Sequence, residues 1–137
     1  MTAGYSGTPL AKKLGIKAGH RVALINPPDG LRDLLAPLPE GVVFDDDLGE
    51  PPDVVLAFFV KRDELDDRLP ELEAAVFPDK ALWACWPKKA SKVPTDLSGN
   101  VVRSTILQTH LVDVKVCAVS AVFTGLKCVW RKEHRKR

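Results

Sequence analysis

Apolar residues gather in short continuous runs, each ended by residues that cannot extend a central strand. Val22–Ile25 (VALI) is followed at once by Asn26-Pro27-Pro28-Asp29-Gly30, Val54–Val60 (VVLAFFV) by Lys61-Arg62, and Ala81–Trp86 (ALWACW) by Pro87-Lys88-Lys89. A brief apolar run without alternation reads as a strand buried on both faces, the habit of parallel sheets. His20 to Ile25 is then the first strand. Gly41–Phe44 (GVVF) is a shorter second strand, stopped by Asp45-Asp46-Asp47. Two later segments bring the count to about six. Asp113–Val119 alternates in part, and Gly125–Trp130 sets Leu126, Cys128 and Trp130 on one face against Lys127 and Val129 on the other. No helical pattern fits between these last two, so they are expected to be antiparallel neighbours joined around Ser120–Thr124.

Elsewhere the spacing turns helical. Leu10 and Leu14 follow Thr8-Pro9, a cap and a first-turn proline, and Gly15 is a stop. Leu31, Leu34, Leu35 and Leu38 predict a short helix from about Gly30, ended by Pro37 and Pro39. Leu65, Leu69, Leu72 and Val76 mark an amphipathic helix with Asp63 as its cap. Pro70 lies inside it, and an interior proline costs about 3 kcal/mol, so a kink or two abutting helices is expected. A last helix runs from about Leu97 or Ser98 to His110. Only residues 45–53, without a helix, link the second and third strands. The fold class is therefore α/β: a three-layer, Rossmann-like, mostly parallel sheet with an antiparallel last strand and right-handed crossovers.

A chain of 137 residues suggests one domain, here 1–130, followed by a basic tail, 131–137. The longest apolar run is far short of the roughly 20 residues a membrane helix needs, and the first residues contain no apolar signal core. A cytoplasmic protein with no membrane partner is expected. The net charge of +2 is uneven: the tail RKEHRKR has five basic groups and one acid, +4, leaving the body 15 against 17, −2. Such a tail can touch nucleic acid, which makes a nucleic-acid accessory role the weaker alternative, but a short terminal run is ordinarily solvated and frayed. Cys85, Cys117 and Cys128 are odd in number and lack CxxC spacing, so a disulfide framework or metal site is not expected and they read as small buried hydrophobes. His20, His110 and His134 are dispersed, and no GxSxG, HExxH or P-loop occurs.

Several phrases resemble known families. LGIKAGHRVALIN, DVVLAFF and LEAAVFPDKALWACWPK resemble the first, fourth and fifth strand regions of class I S-adenosylmethionine-dependent methyltransferases, relative to which the chain is short by about one helix–strand unit between Phe44 and Val54. GYSGTPLAKKLGIK (4–17), WPKKAS (86–91), TDL (95–97), LVDVKVCAV (111–119) and GLK (125–127) resemble a family of short bacterial proteins, domain of unknown function 3052. That resemblance implies a bacterial cytosolic domain of methyltransferase-like shape and brings no reaction with it.

The methyltransferase resemblance implies S-adenosylmethionine as cofactor, a glycine turn after the first strand and an acid after the second. The acid is available at Asp45, Asp46 or Asp47. The turn holds Asn26, Pro27, Pro28, Asp29 and Gly30, and only Gly30 allows close backbone approach. Open α/β sheets bind ligands at the carboxyl ends of their strands. Asn26, Asp29, Gly30, Asp45, Lys61, Arg62, Lys88 and Lys89 are expected there, with Ser91, Lys92 and the 4–8 segment near them. Their cations favour an anionic or nucleotide-like ligand. The preferred reading is a non-catalytic domain for such a small molecule or for a protein partner. The alternative is a divergent methyltransferase or another nucleotide-dependent transferase. An uncovered edge strand would favour a homodimer.

Overall fold

The computed structural model describes residues 8–136. Its centre is a six-stranded sheet in the order β2-β1-β3-β4-β6-β5. The strands are β1 (Arg21–Ile25), β2 (Val43–Asp46), β3 (Val54–Phe58), β4 (Ala81–Pro87), β5 (Leu111–Ala118) and β6 (Phe123–Trp130). The first four are mutually parallel, and β6 runs antiparallel between β4 and β5. The last strand is antiparallel, as its pattern predicts, but it enters the sheet one place in from the edge, and β5 takes the edge.

The unalternating runs are buried on both faces. All five residues of β3 are buried, Val55 and Ala57 toward one core and Val54, Leu56 and Phe58 toward the other. Helices α3 (Arg62–Ala75) and α4 (Gly99–Leu107) supply Leu65, Leu69, Leu72, Val102 and Ile106 to the first core. Short helices α1 (Leu10–Lys13) and α2 (Leu31–Leu35) supply Ala11, Leu31 and Leu35 to the second. The three layers follow directly. Trp83 and Trp86, three apart in β4, fall on opposite faces.

Several boundaries depart from the sequence pattern, each for a local reason. Asp45 and Asp46 do not stop β2 but belong to it. It is an edge strand, where polar side chains are tolerated, and Asp45 is neutralised by Arg21 of β1 at 2.8 Å. Helix α3 runs unbroken through Pro70. Burial of a leucine contributes about 1.5–3 kcal/mol, so three of them outweigh the roughly 3 kcal/mol proline cost; Pro70 itself is exposed. Asp63 is not the cap, since α3 begins from Lys61. Thr8 also gives way, with Pro9 in the cap position of α1. Residues 131–135 make contacts with the domain. Arg131 donates its N–H to the His110 carbonyl, Arg135 Nε donates to the Trp130 carbonyl at 2.9 Å, and His134 packs edge-on against His110. No described helix is long and apolar enough to cross a membrane.

Trp83 is fully buried, and its Nε1–H donates to the Leu14 carbonyl at 2.9 Å, fixing the end of α1 to the sheet. Gly125 of β6 makes room beside it. A Cβ there would sit 3.0 Å from Cys85 Sγ and 3.2 Å from Trp83 Cε3. Gly125→Ala is therefore expected to destabilise the fold by about 1–3 kcal/mol, the usual cost of overpacking a core, measured by urea unfolding; an unchanged midpoint would show that this contact is slack.

Candidate functional site

The strand order reverses between β1 and β3, and the crevice at such a switch point is the usual ligand position in an open α/β sheet. Here it is bridged. Asn26 leaves β1 with a left-handed φ of 50°, a conformation asparagine tolerates, and its Nδ2–H donates to the Phe58 carbonyl at 3.3 Å. Beyond β3, Thr95 Oγ1 donates to the Val60 carbonyl at 2.5 Å, and Asp96 Oδ1 accepts the Arg62 N–H at 2.7 Å. The 95–96 segment thus lies across the exit of β3 and the start of α3.

This bridge leaves two clefts with no lining residue in common. The first, of about 380 Å³, follows β1 and is lined by Leu24, Pro27, Pro28, Asp29, Gly30, Leu31, Arg32, Asp33 and Asp46. Its charged lining is three acids and one arginine. Pro27 and Pro28 offer no N–H, and the Leu31 N–H is directed at the Pro28 carbonyl. Gly30 has a φ of 79° and turns the chain into α2. The second cleft, of about 690 Å³, follows β4. Trp86, Pro87, Val93 and Leu97 give it apolar walls, and Lys88, Lys89, Thr95, Ser98, Gly99 and Thr124 complete it. The Lys88 backbone is held on both sides, its N–H by the Val122 carbonyl at 2.7 Å and its carbonyl by Ser91 Oγ at 2.6 Å. Ser98 caps α4 by accepting the Val101 N–H at 3.2 Å. The first turn of that helix, which no intrahelical carbonyl reaches, borders the cleft.

The residues expected to share one edge are therefore divided. Asp29 and Gly30 line the acidic cleft, and Lys88 and Lys89 line the basic one. Asn26 serves the bridge. Lys61 and Arg62 are exposed at the start of α3 and line neither cleft, with Arg62 3.8 Å from Asp66. Of the aspartate triplet, Asp45 is bonded to Arg21, Asp47 to Arg68 of α3, and Asp46 faces the acidic cleft, 3.6 Å from Arg32. Ser91 holds Lys88, and Lys92 is exposed. Residues 4–7 lie outside the described residues. Sequence reasoning missed Thr95 and Asp96, whose partners Val60 and Arg62 are remote in the chain, and Thr124, which bonds the Cys117 carbonyl across the β5–β6 pair.

Two of the three cysteines are buried as thiols. Burial pushes the Cys85 thiol far up and, with the nearby Asp113, raises that of Cys128 to about 12, so neither is a thiolate at neutral pH. Cys117 is only half-buried, unlike the other two. Among the described residues no group of three or more His, Cys, Asp or Glu is placed to hold a metal ion.

With this geometry in view, the architecture matches known structures. A SAM-dependent methyltransferase from Aquifex aeolicus aligns over 87% of this chain and 86% of that one at 16% identity, with a TM-score of 0.61. Magnesium protoporphyrin IX methyltransferase from Synechocystis PCC 6803, with bound SAH, aligns over 89% and 78% at 12% identity and a TM-score of 0.54. A fibrillarin/Nop5p complex aligns over 82% and 73% at 8% identity and a TM-score of 0.52. These likenesses establish the fold, a Rossmann-like sheet of the methyltransferase type. No family model and no curated protein matches the chain, so the resemblance to domain of unknown function 3052 rests on its sequence segments alone.

Arg68 holds the Asp47 carboxyl below the usual range, chiefly through its hydrogen bond and with help from the Leu48 N–H. A depressed folded pKa stabilises the protein above the unfolded value, near 4, and that contribution is lost as pH falls through the folded value. The pair is partly open to water, which limits its worth to about 1 kcal/mol or less. Asp47→Asn should lower stability at neutral pH, and its urea midpoint should converge with that of the parent protein as pH falls below the unfolded value near 4. Parallel curves would show that the pair contributes nothing.

Proposed function

We propose that this protein binds an anionic small molecule in the cleft beyond β4, on a methyltransferase-shaped scaffold that does not itself perform methyl transfer. The observation that carries the reading is the pairing of Lys88 and Lys89 with apolar walls in one recess of about 690 Å³, within the range of roughly 300–1,000 Å³ typical of small-molecule sites. The first turn of α4 borders the same recess and favours negative charge. A ligand with an apolar or ring portion against Trp86 and Leu97, and a phosphate or carboxylate at the lysines, fits this lining. Of the other edge residues, Asn26, Asp45, Lys61 and Arg62 would act by shaping or charging the surroundings.

The competing reading is a divergent methyltransferase. It is supported by the placement of Asp46, with Asp29 and Gly30, on the cleft after β1, where the fold resemblance puts a ribose-binding acid. Against it stands the Pro27-Pro28 turn, which removes two backbone donors and stiffens the chain where close approach is needed.

Thermal-shift titration separates the two. A ligand at about 100 times its dissociation constant stabilises the fold by about 2.7 kcal/mol. Nucleotides or acyl-CoA should raise the melting temperature, and the double variant Lys88→Ala, Lys89→Ala should lose that shift while remaining folded. A shift with S-adenosylmethionine or S-adenosylhomocysteine that survives the double variant and is abolished by Asp46→Ala would replace the proposal with the methyltransferase reading.

A further inference from the structure

The opposite edge of the sheet holds a second cationic cluster that owes nothing to the clefts above. A cavity of about 260 Å³ opens beside the amino-terminal ends of β1, β3 and β4, lined by Leu14, Gly15, Lys17, His20, Asp53, Val54, Asp79, Lys80, Ala81 and Lys127. Lys127 enters from β6, where it stands in register between Trp83 of β4 and Lys115 of β5. Like charges directly opposite across two strands are destabilising. Lys17 adds a third cation from the turn after α1. None of Lys17, Lys115 and Lys127 has an acidic partner among the described residues, whereas Lys80 is 3.2 Å from Asp53 and 4.0 Å from Asp79. Asp53 is further engaged by the Arg21 N–H at 2.8 Å.

We propose that Lys127, Lys17 and His20 hold a phosphate-sized anion in this cavity, with Lys115 contributing charge from beside it. The polar geometry suits an acceptor-rich guest. His20 Nδ1 accepts the Lys17 N–H at 3.1 Å, which leaves Nε2 as the proton-bearing nitrogen and so a donor. Lys127 is partly buried, and burial, followed by Lys115 and Lys17, lowers the pKa of its ammonium and so weakens its hold on the proton. A bound dianion reverses that effect. The cavity falls below the roughly 300 Å³ at which sites for drug-sized ligands begin, so it takes inorganic phosphate or the phosphate group of a larger molecule rather than a whole nucleotide.

The test is a calorimetric and thermal-shift titration of the full chain with inorganic phosphate and, in a parallel arm, glycerol 3-phosphate, at constant ionic strength set with chloride. Saturable binding is expected in the parent protein and in the Lys88→Ala, Lys89→Ala variant, which separates this site from the cleft beyond β4. Lys127→Met removes the like-charge opposition and keeps the apolar stem, so it should stay folded. It should weaken phosphate binding by about tenfold or more, as for loss of a charge-assisted hydrogen bond. Binding of phosphate alone assigns the site to the free ion, and tighter binding of glycerol 3-phosphate assigns it to a phosphate monoester. Absence of saturable binding by either compound, or equal affinity in folded Lys127→Met, overturns the proposal.

Discussion

Burial of both faces of the central strands is the constraint from which the rest follows. With every residue of β3 inside, the sheet needs a cover on each side, and the short chain supplies it unequally: α3 and α4 on one face, the small helices α1 and α2 on the other. The thin side is fastened by a buried polar contact. Trp83 has no exposure, and its indole N–H must find an acceptor or forfeit the cost of desolvation. The Leu14 carbonyl at the end of α1 satisfies it. The large ring then demands space from β6, and Gly125 yields it. Layer, anchor and glycine are three consequences of one burial requirement.

Because the faces are closed, chemistry is left to the two edges of the sheet. At the carboxyl edge, the exit of β3 is spanned by Asn26 from one side and by Thr95 and Asp96 from the other. This divides an edge that a sequence reading treats as continuous. Acids collect after β1 and β2, and lysines after β4. A ligand that needs both an adenosyl-type acid and a cation for its anion would have to cross the bridge. The division therefore favours the proposed recognition of an anionic molecule on the β4 side over a cofactor laid across the switch point.

The central strands were legible because VALI, VVLAFF and ALWACW do not alternate, and a run apolar on both sides of the pleat has few other homes. The antiparallel pairing of β5 with β6 was legible from the missing helix between them. What the pattern concealed depends on long-range pairing. Asp45 reads as a strand stop until Arg21 is seen to neutralise it across an edge. Pro70 reads as a break until three buried leucines are weighed against it. Asp96 caps a helix that begins 34 residues earlier in the chain, and no local window contains both partners. For the site, the residues beside strand ends were legible as a group, but their partition into two clefts depends on contacts between loops.

Unpaired charge is informative in proportion to what it costs to keep. Lys88 is only half-buried and Lys89 is exposed, so water can stabilise both and their charge alone is weak support for a ligand. Their weight comes from sharing a recess with Trp86 and Leu97. Lys127 is the reverse case. It is half-buried, faces Lys115 in register and forms no ion pair among the described residues, while Arg21, Arg103 and Lys80 each form at least one. A half-buried cation that faces another cation is better balanced by a counter-charge supplied from outside, and the wall of Leu14, Gly15 and His20 limits how large that counter-charge can be.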